Sequence, residues 1–522
     1  MKRNMKKTFM AFIAALTLAS SFAYALQPAK RQVKKENVVD STEILMQQAQ
    51  AGNAAAQNTV GLWYYVGKDS VKQDYKQALQ WWARAAKQDN ADAIGNMAMC
   101  YQLGRGTERD SAMAVKLYES AIKKGNKGVI PQHEQLADKG KVFSSLFLRD
   151  CYLKGIGVDK SPQKATEYLE KAAKVGHEDS QYMLALQLLN GKQPEKAAGW
   201  FKRAASQGNV GATYYYGNML HKGTGVKEDK KSGMALLRQA AAKDFAMANY
   251  QLGLIYRDGD DVERDAAKAF SYMKKAASQG NPNAQWQLGM MYLKGEGTPQ
   301  DYYFAAQWLA EQALSTHKKD INELLKQDNE GPFSQYLMGM RKYFVDKDYD
   351  AAIDWFKKVE KAKNIEGTTM QGVCLANKDY QKRNLKKAIK QLTKASSTST
   401  VAKYYLSTMY ETGTGVDKDD KKAVELLKAA ADEGVAYAQC KLGDRYMTGN
   451  GVEKNTTKAA LLYLDAEAQN HLTPQSAKYL AECYKQKLSV LPDLDSADQR
   501  TEKLNKQKAN SNLANMLKQL EK

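Results

Sequence analysis

A Tyr followed three residues later by Gly-x-Gly recurs along this chain, and that recurrence constrains the fold more than any other feature. The copies are Tyr101 with Gly104 and Gly106, Tyr152 with Gly155 and Gly157, Tyr292 with Gly295 and Gly297, Tyr410 with Gly413 and Gly415, and Tyr446 with Gly449 and Gly451. Gly223 and Gly259 belong to the same series, and the steps 223 to 259, 259 to 295 and 413 to 449 are each 36 residues. A fixed period of this length marks a stacked array, in which each unit buries its apolar face only against its neighbours. For 522 residues the ordinary expectation of three or so globular domains is thereby displaced.

Each unit reads as two helices. In Ala248 to Tyr256 the bulky Leu252 and Tyr256 stand four apart on one face, and Gly253 lets a partner helix approach closely. The Gly-x-Gly element then stops the helix, as residues without a Cβ do just past a C-terminus. A second helix follows, with Ala269, Met273 and Ala277 at four-residue spacing, and the unit closes at Gly280. Pro162, Pro194, Pro282 and Pro474 each fall at an expected first helical turn, where a missing N–H costs nothing. About twelve such antiparallel helix pairs fit between Ala51 and the C-terminus, so the expected fold class is all-α, an α-solenoid.

The string from Ala284 to Gly297, with Ala284-Gln285, Leu288-Gly289, Tyr292 and Gly295-Glu296-Gly297, resembles the Sel-one-like repeat, as do closures such as Ala276-Ala277-Ser278-Gln279-Gly280. That family belongs to the tetratricopeptide-like α-solenoids, and the likeness covers nearly all of the chain beyond its first 50 residues. It implies right-handed stacking of the helix pairs and a role in binding other proteins, and it implies no chemistry.

The remaining organisation follows from where the pattern is absent. Lys2, Arg3, Lys6 and Lys7 precede an apolar run from Phe9 to Ala19, and Ala23-Tyr24-Ala25 supplies a small-x-small site, so residues 1–25 read as a signal peptide cleaved after Ala25. Location in the periplasm or outside the cell is expected. Without those four cations the formal net charge of +20 becomes +16. Residues 26–50 form a lead-in, 51–316 a first block of repeats, 317–331 an irregular connector, 332–484 a second block, and 485–522 a C-terminal capping helix. Between Gly104 and Gly155 the spacing is 15 residues over one period, and the excess falls in Gly125 to Gly140, around Pro131.

Composition excludes several classes. With 9 Pro, 36 Gly and 5 Cys the chain is neither collagen-like, low-complexity nor a disulfide-dense scaffold. After residue 25 no run of about 20 apolar residues occurs, so no transmembrane segment is expected. His133, His177, His221, His317 and His471 never pair at i, i+4, and His-Glu-x-x-His, Gly-x-Ser-x-Gly and Gly-Lys-Ser are all missing. Neither an enzyme, a metal site nor a cofactor is expected, and His177, His221 and His317 read as solvated residues near helix ends. Cys100, Cys151 and Cys483 each precede the repeat Tyr, where other units place Ile255, Met291 or Met409, and so read as buried thiols. Some secreted relatives of the repeat family pair cysteines between the helices of each unit and have β-lactam-related activity attributed to them. Such pairing is missing here.

Three residues before the Leu-Gly glycine position, successive units carry Tyr182, Tyr214, Tyr250, Trp286, Tyr336 and Tyr404, replaced later by Cys440. In tetratricopeptide-like arrays this place on the first helix borders the concave groove, and an aromatic ring with a polar tip suits an extended or helical peptide. The same rings would equally serve as packing between neighbouring first helices. Lys-Lys pairs at 123, 230, 274, 357, 386 and 421 spread the charge over many units, which fits a solvated surface or attraction to an anionic cell-envelope polymer such as peptidoglycan. No nucleic-acid module is visible. The expected function is a scaffold or adaptor that holds a protein or peptide partner on the concave face of the array.

Overall fold

A computed structural model describes residues 41–68, 71–313, 323–324, 331–469 and 472–486. The expected signal peptide, most of the lead-in, most of the connector and nearly all of the capping helix lie outside the described residues. The chain divides into two compact units between Val175 and Gly176.

Among the described residues every regular element is helical. In the first unit a leading helix, Ser41–Gln50, precedes the pairs Ala54–Val66 with Tyr75–Ala86, Ala91–Leu103 with Ser111–Lys123, and Val142–Lys154 with Pro162–Lys174. The second unit holds eight more pairs, from Glu178–Asn190 with Pro194–Ser206 through Ala436–Thr448 with Thr456–Ala468, and then the single helix Pro474–Lys485. The count is therefore eleven complete pairs.

A short code of caps and turns produces each pair. Most second helices open on Asp or Asn, as at Asp110, Asp229, Asp265, Asp419 and Asn455, whose side chains accept a backbone N–H three residues on. Most first helices close on a glycine at φ between 66 and 79°, among them Gly104, Gly223, Gly259, Gly295 and Gly449. Across the turn, the N–H of the second helix's cap residue returns to the carbonyl of the repeat Tyr: Asp110 to Tyr101, Asp265 to Tyr256, Asp301 to Tyr292 and Asp419 to Tyr410, at 2.9 to 3.0 Å. That bond fixes the register of the hairpin. Prolines 162, 194, 282 and 474 all occupy the first helical turn, and Pro332 does the same.

The two glycines of the turn do different work. The first ends the helix. The second lies against the previous unit: a Cβ on Gly297, which has φ 72°, would stand 2.5 Å from the Ala266 carbonyl carbon at the start of the preceding second helix. Inside the pair, a Cβ on Gly253 would meet the Met273 side chain at 2.9 Å, which is the close approach expected of the Leu-Gly position. Small buried alanines complete the seam, and Leu252, Ala269 and Met273 are fully enclosed.

Two irregularities carry structure of their own. The excess after Gly125 forms an additional helix, Val129–Asp138, which buries His133 among Tyr118, Phe143 and Phe147, with ring centroids 4.6 to 5.9 Å away. His133 Nδ1 bonds Ser144 at 2.9 Å, and burial lowers its pKa to about 4. The connector expected at 317–331 falls inside the second unit, and the helices that flank it share one core: Tyr302 packs edge-on against Phe333, at 5.4 Å, and beside Tyr336. The pair that follows ends its first helix in a π-helical turn, Lys342–Asp346, in place of Gly-x-Gly.

Within the second unit the array winds back on itself. Helix Ala266–Ser278 touches helix Thr456–Ala468, five units further along. Lys274 contributes here, its Nζ close to Gly434 and its charge acting on Asp465 of the second of these helices. Asn364 reaches across almost two periods to donate to Gln300 Oε1 at 3.3 Å.

None of the five cysteines forms a disulfide, and all are buried. Burial raises the thiols of Cys100, Cys151 and Cys374 to about 11, 12 and 12, which holds them protonated.

Candidate partner-binding face

The first helices stack side by side, and the aromatic column runs across their contacts. Tyr182 covers Gly211 of the next first helix, where a Cβ would meet its ring at 2.8 to 3.0 Å. Tyr404 stacks on Tyr437 one unit on, at the same register as Gly211, with centroids 6.3 Å apart and planes at 27°. Tyr182 and Tyr404 therefore each bridge two units before they offer anything to a ligand.

Exposure separates the six residues. Tyr214 and Tyr336 are buried, at 5% and 0%. Tyr214 is held between Tyr215 and Phe245, and Tyr336 between Tyr302 and Phe356. Neither has a ring face left for a partner. Tyr182, Tyr250, Trp286 and Tyr404 remain partly exposed, and Tyr437, which the column rule does not pick out, is 44% exposed.

A cavity of about 480 Å³ is lined by Arg257, Asp258, Arg264, Gln287, Met290, Met291, Lys294 and Glu296; Tyr250 feels the charges of Arg257 and Asp258 on its wall, and Trp286 precedes Gln287 on the same helix. It sits where the C-terminal turns of Ala246–Asp258 and Pro282–Lys294 adjoin. Arg257 spans it, donating to Gln287 Oε1 at 3.0 Å and pairing with Asp258 at 2.7 Å. The Asp258 carboxyl is held below its ordinary range by the Arg257 hydrogen bond, and the Arg257 guanidinium is raised in turn. Aromatic faces, a methionine and paired charges thus converge on one stretch of the first-helix face. Periodicity found the rings but not the cavity, because its walls come from non-equivalent positions of two units; the signal for it is Arg257, where other units put Gln102 or Leu293.

A second convergence lies further along. The starts of helices Tyr302–Ala313, Ile365–Ala376 and Thr400–Thr412 bring Asp301, Glu366 and Ser399 together under Tyr303 and Tyr336. Burial pushes Asp301 up to about 6, against the cap bonds it accepts from Phe304 and Tyr303. Glu366 is 1% exposed and is raised well above the carboxylate range, first by burial and then by Asp301, with the Ser399 hydrogen bond opposing.

The lysines are less free than their number suggests. Lys124 pairs with Asp89, Lys154 with Glu119, Lys171 with Asp138 and Lys403 with Glu433, at 2.5 to 3.0 Å and roughly one period apart. Of the histidines read as solvated, His177 caps its helix by accepting from Ser180. His317 lies outside the described residues. His221 departs from that expectation, because at 3% exposure it is buried against Gly233 of its own second helix.

Comparison with known proteins settles the family. The Sel1 repeat matches at ten places: 54–90, 91–126, 146–177, 178–209, 210–245, 246–281, 282–311, 332–359, 400–435 and 436–471. The chain belongs to the Sel1 repeat family. The pair Ile365–Ala376 with Leu385–Ala395 is the complete pair without a match, and it lacks the Gly-x-Gly turn. A Sel1 repeat protein from Oxalobacter formigenes is 30% identical, with 56% of this chain and 82% of that one covered and a TM-score of 0.36. A protective antigen of uropathogenic Escherichia coli with the same repeat fold is 24% identical over 91% of this chain and 98% of that one, with a TM-score of 0.35. An Arabidopsis thaliana protein described as an ERAD-associated E3 ubiquitin-protein ligase component is 27% identical over 124 residues, which is 24% of this chain and 17% of that protein. Sel1-repeat proteins generally mediate protein–protein interaction and are typically non-catalytic scaffolds. No helix among the described residues is long and apolar enough to cross a membrane.

Proposed function

We propose that this chain is an exported interaction scaffold that holds a polypeptide partner along the face of its first helices, centred on Tyr250, Trp286 and the cavity on the same two helices. The observation that carries the reading is that two partly exposed aromatics lie on the same two first helices as a cavity of about 480 Å³ lined by Arg257, Gln287 and Met290. Large, rigid rings that lose little entropy on binding, next to hydrogen-bonding groups, are the composition of an interaction hot spot. Tyr182, Tyr404 and Tyr437 extend the same face in other units. The leader at residues 1–25 supports export, and the partner is met outside the cytoplasm.

The test is capture of partners from cell-envelope extract by the parent chain and by the double variant Y250A/W286A. A tenfold or greater loss of capture with the melting temperature preserved is expected. Collapse of stability with unchanged capture sinks the proposal. Capture that vanishes in high salt for both proteins points instead to the lysine surface and an anionic polymer.

A further inference from the structure

Three departures from the repeat fall together between the pairs 210–242 and 246–278. Every other second helix among the described residues places a buried Ala four residues past its cap position, from Ala78 to Ala459. Helix Lys230–Ala242 has Gly233 instead, where a Cβ would stand 2.7 Å from the His221 backbone nitrogen and 2.8 Å from the Gly217 oxygen. At the next turn the second glycine of Gly-x-Gly is replaced by Asp261, which holds the left-handed conformation at φ 60°. That is a conformation aspartate tolerates better than most residues, at some cost. The third departure is His221 itself, whose side chain is 2% exposed beside this turn.

These substitutions gather one imidazole and two carboxylates. His221 Nε2 lies 3.2 Å from Asp260 Oδ2, and Nδ1 lies 4.0 Å from Asp261 Oδ2. Nδ1 is buried and has no hydrogen-bond partner. One ligand atom from each of the three residues falls within 4.8 Å of the others. A cation already stands at the cluster: Lys230 Nζ is 2.8 Å from Asp261 Oδ1 and 3.7 Å from Asp260 Oδ1.

We propose that His221, Asp260 and Asp261 bind a divalent transition-metal ion, for which Zn²⁺ is the probe, and that the Lys230 ammonium is the competitor that the ion displaces. Tetrahedral zinc with bonds near 2.1 Å needs ligand atoms about 3.4 Å apart. The cluster has to contract by at most about 1.4 Å, and the side chains that move are the exposed ones, with Asp260 53% and Asp261 30% exposed. The imidazole stays fixed by burial. Its presence in the donor set selects zinc-like ions over Mg²⁺ and Ca²⁺, which prefer oxygen alone. Because His221 ends the first helix of one pair and the two aspartates belong to the turn of the next, the ion ties consecutive repeats together.

The experiment is calorimetric titration of the full chain, free of any histidine tag, with Zn²⁺. The expected result is one ion per chain at this site. Asp261→Gly, which restores the repeat's own glycine, and His221→Ala each weaken binding at least tenfold. Lys230→Gln tightens it about tenfold, because the competing cation is gone. Circular dichroism confirms that each variant is folded, and the glycine variant keeps the test valid if the histidine variant unfolds. Binding unchanged in D261G and H221A overturns the proposal, and so does Mg²⁺ or Ca²⁺ binding as tightly as Zn²⁺ with no dependence on His221.

Discussion

Replacing Gly297 and Gly280 by alanine separates two costs that most glycine substitutions mix. Both residues have positive φ, 72° and 81°, and alanine resists the left-handed region by about 1–2 kcal/mol. The restricted unfolded chain returns roughly 0.4–1 kcal/mol of that. Around Gly280 nothing lies within 4 Å of the added methyl, so Gly280→Ala should cost no more than about 1.6 kcal/mol. At Gly297 the methyl would lie 2.5 Å from the Ala266 carbonyl carbon, whereas carbon atoms ordinarily approach to about 3.5–4.0 Å. The obstacle is backbone, which no rotamer change relieves, so the units must part by roughly 1 Å. Overpacking of this kind adds about 1–3 kcal/mol, and Gly297→Ala should lose about 1–4.6 kcal/mol in all. Urea unfolding of the parent and both variants, followed by circular dichroism, reads the difference. Equal losses in the two variants would show that conformation alone fixes these glycines and that the second glycine does not set the distance between units.

Two further outcomes follow from burial. Folding raises Asp301 and Glu366, so the folded chain holds those protons more tightly; the stability they contribute is present below their unfolded values near 4 and is lost as pH rises through their raised values, which for Asp301 is about 6. For Asp301, the change from 3.8 to about 6 is worth at most about 3 kcal/mol. Melting temperatures from pH 5 to pH 8 should therefore fall in the parent and fall less in Asp301→Asn, which still caps its helix; parallel profiles would refute this. The five buried thiols should resist a thiol reagent in the folded chain and all react once it is unfolded without reductant. Fewer than five reactive thiols after unfolding would reveal a disulfide.

The repeat was readable because its spacing rests on local chemistry. Gly104 or Gly295 stops a helix, Asp110 or Asp265 starts the next, and neither depends on distant residues. Residues outside the period were harder to place. The helix Val129–Asp138 hides in an apparent insertion, and its His133 finds partners only after neighbouring helices stack. Tyr336 and Tyr250 hold the same place in the repeat, yet one is enclosed and the other is not, because exposure depends on what the array brings over them from other units. His221 was misread for a related reason. Gly233, twelve residues away, lets its backbone sit close to the second helix, and the turn of the next repeat covers its side chain; a hydropathy pattern registers neither.

The contact between Ala266–Ser278 and Thr456–Ala468 changes how the second unit should come apart. An open solenoid is a one-dimensional chain of neighbours, where ends fray independently and stability accumulates repeat by repeat. Once one turn of the coil rests on another, each intervening repeat belongs to a closed circuit, and loosening any of them releases a contact far away in sequence. Lys274 is the clasp of that circuit. Lys274→Ala should lower cooperativity before it lowers the midpoint, seen as a broader denaturation transition for the repeats between the two helices.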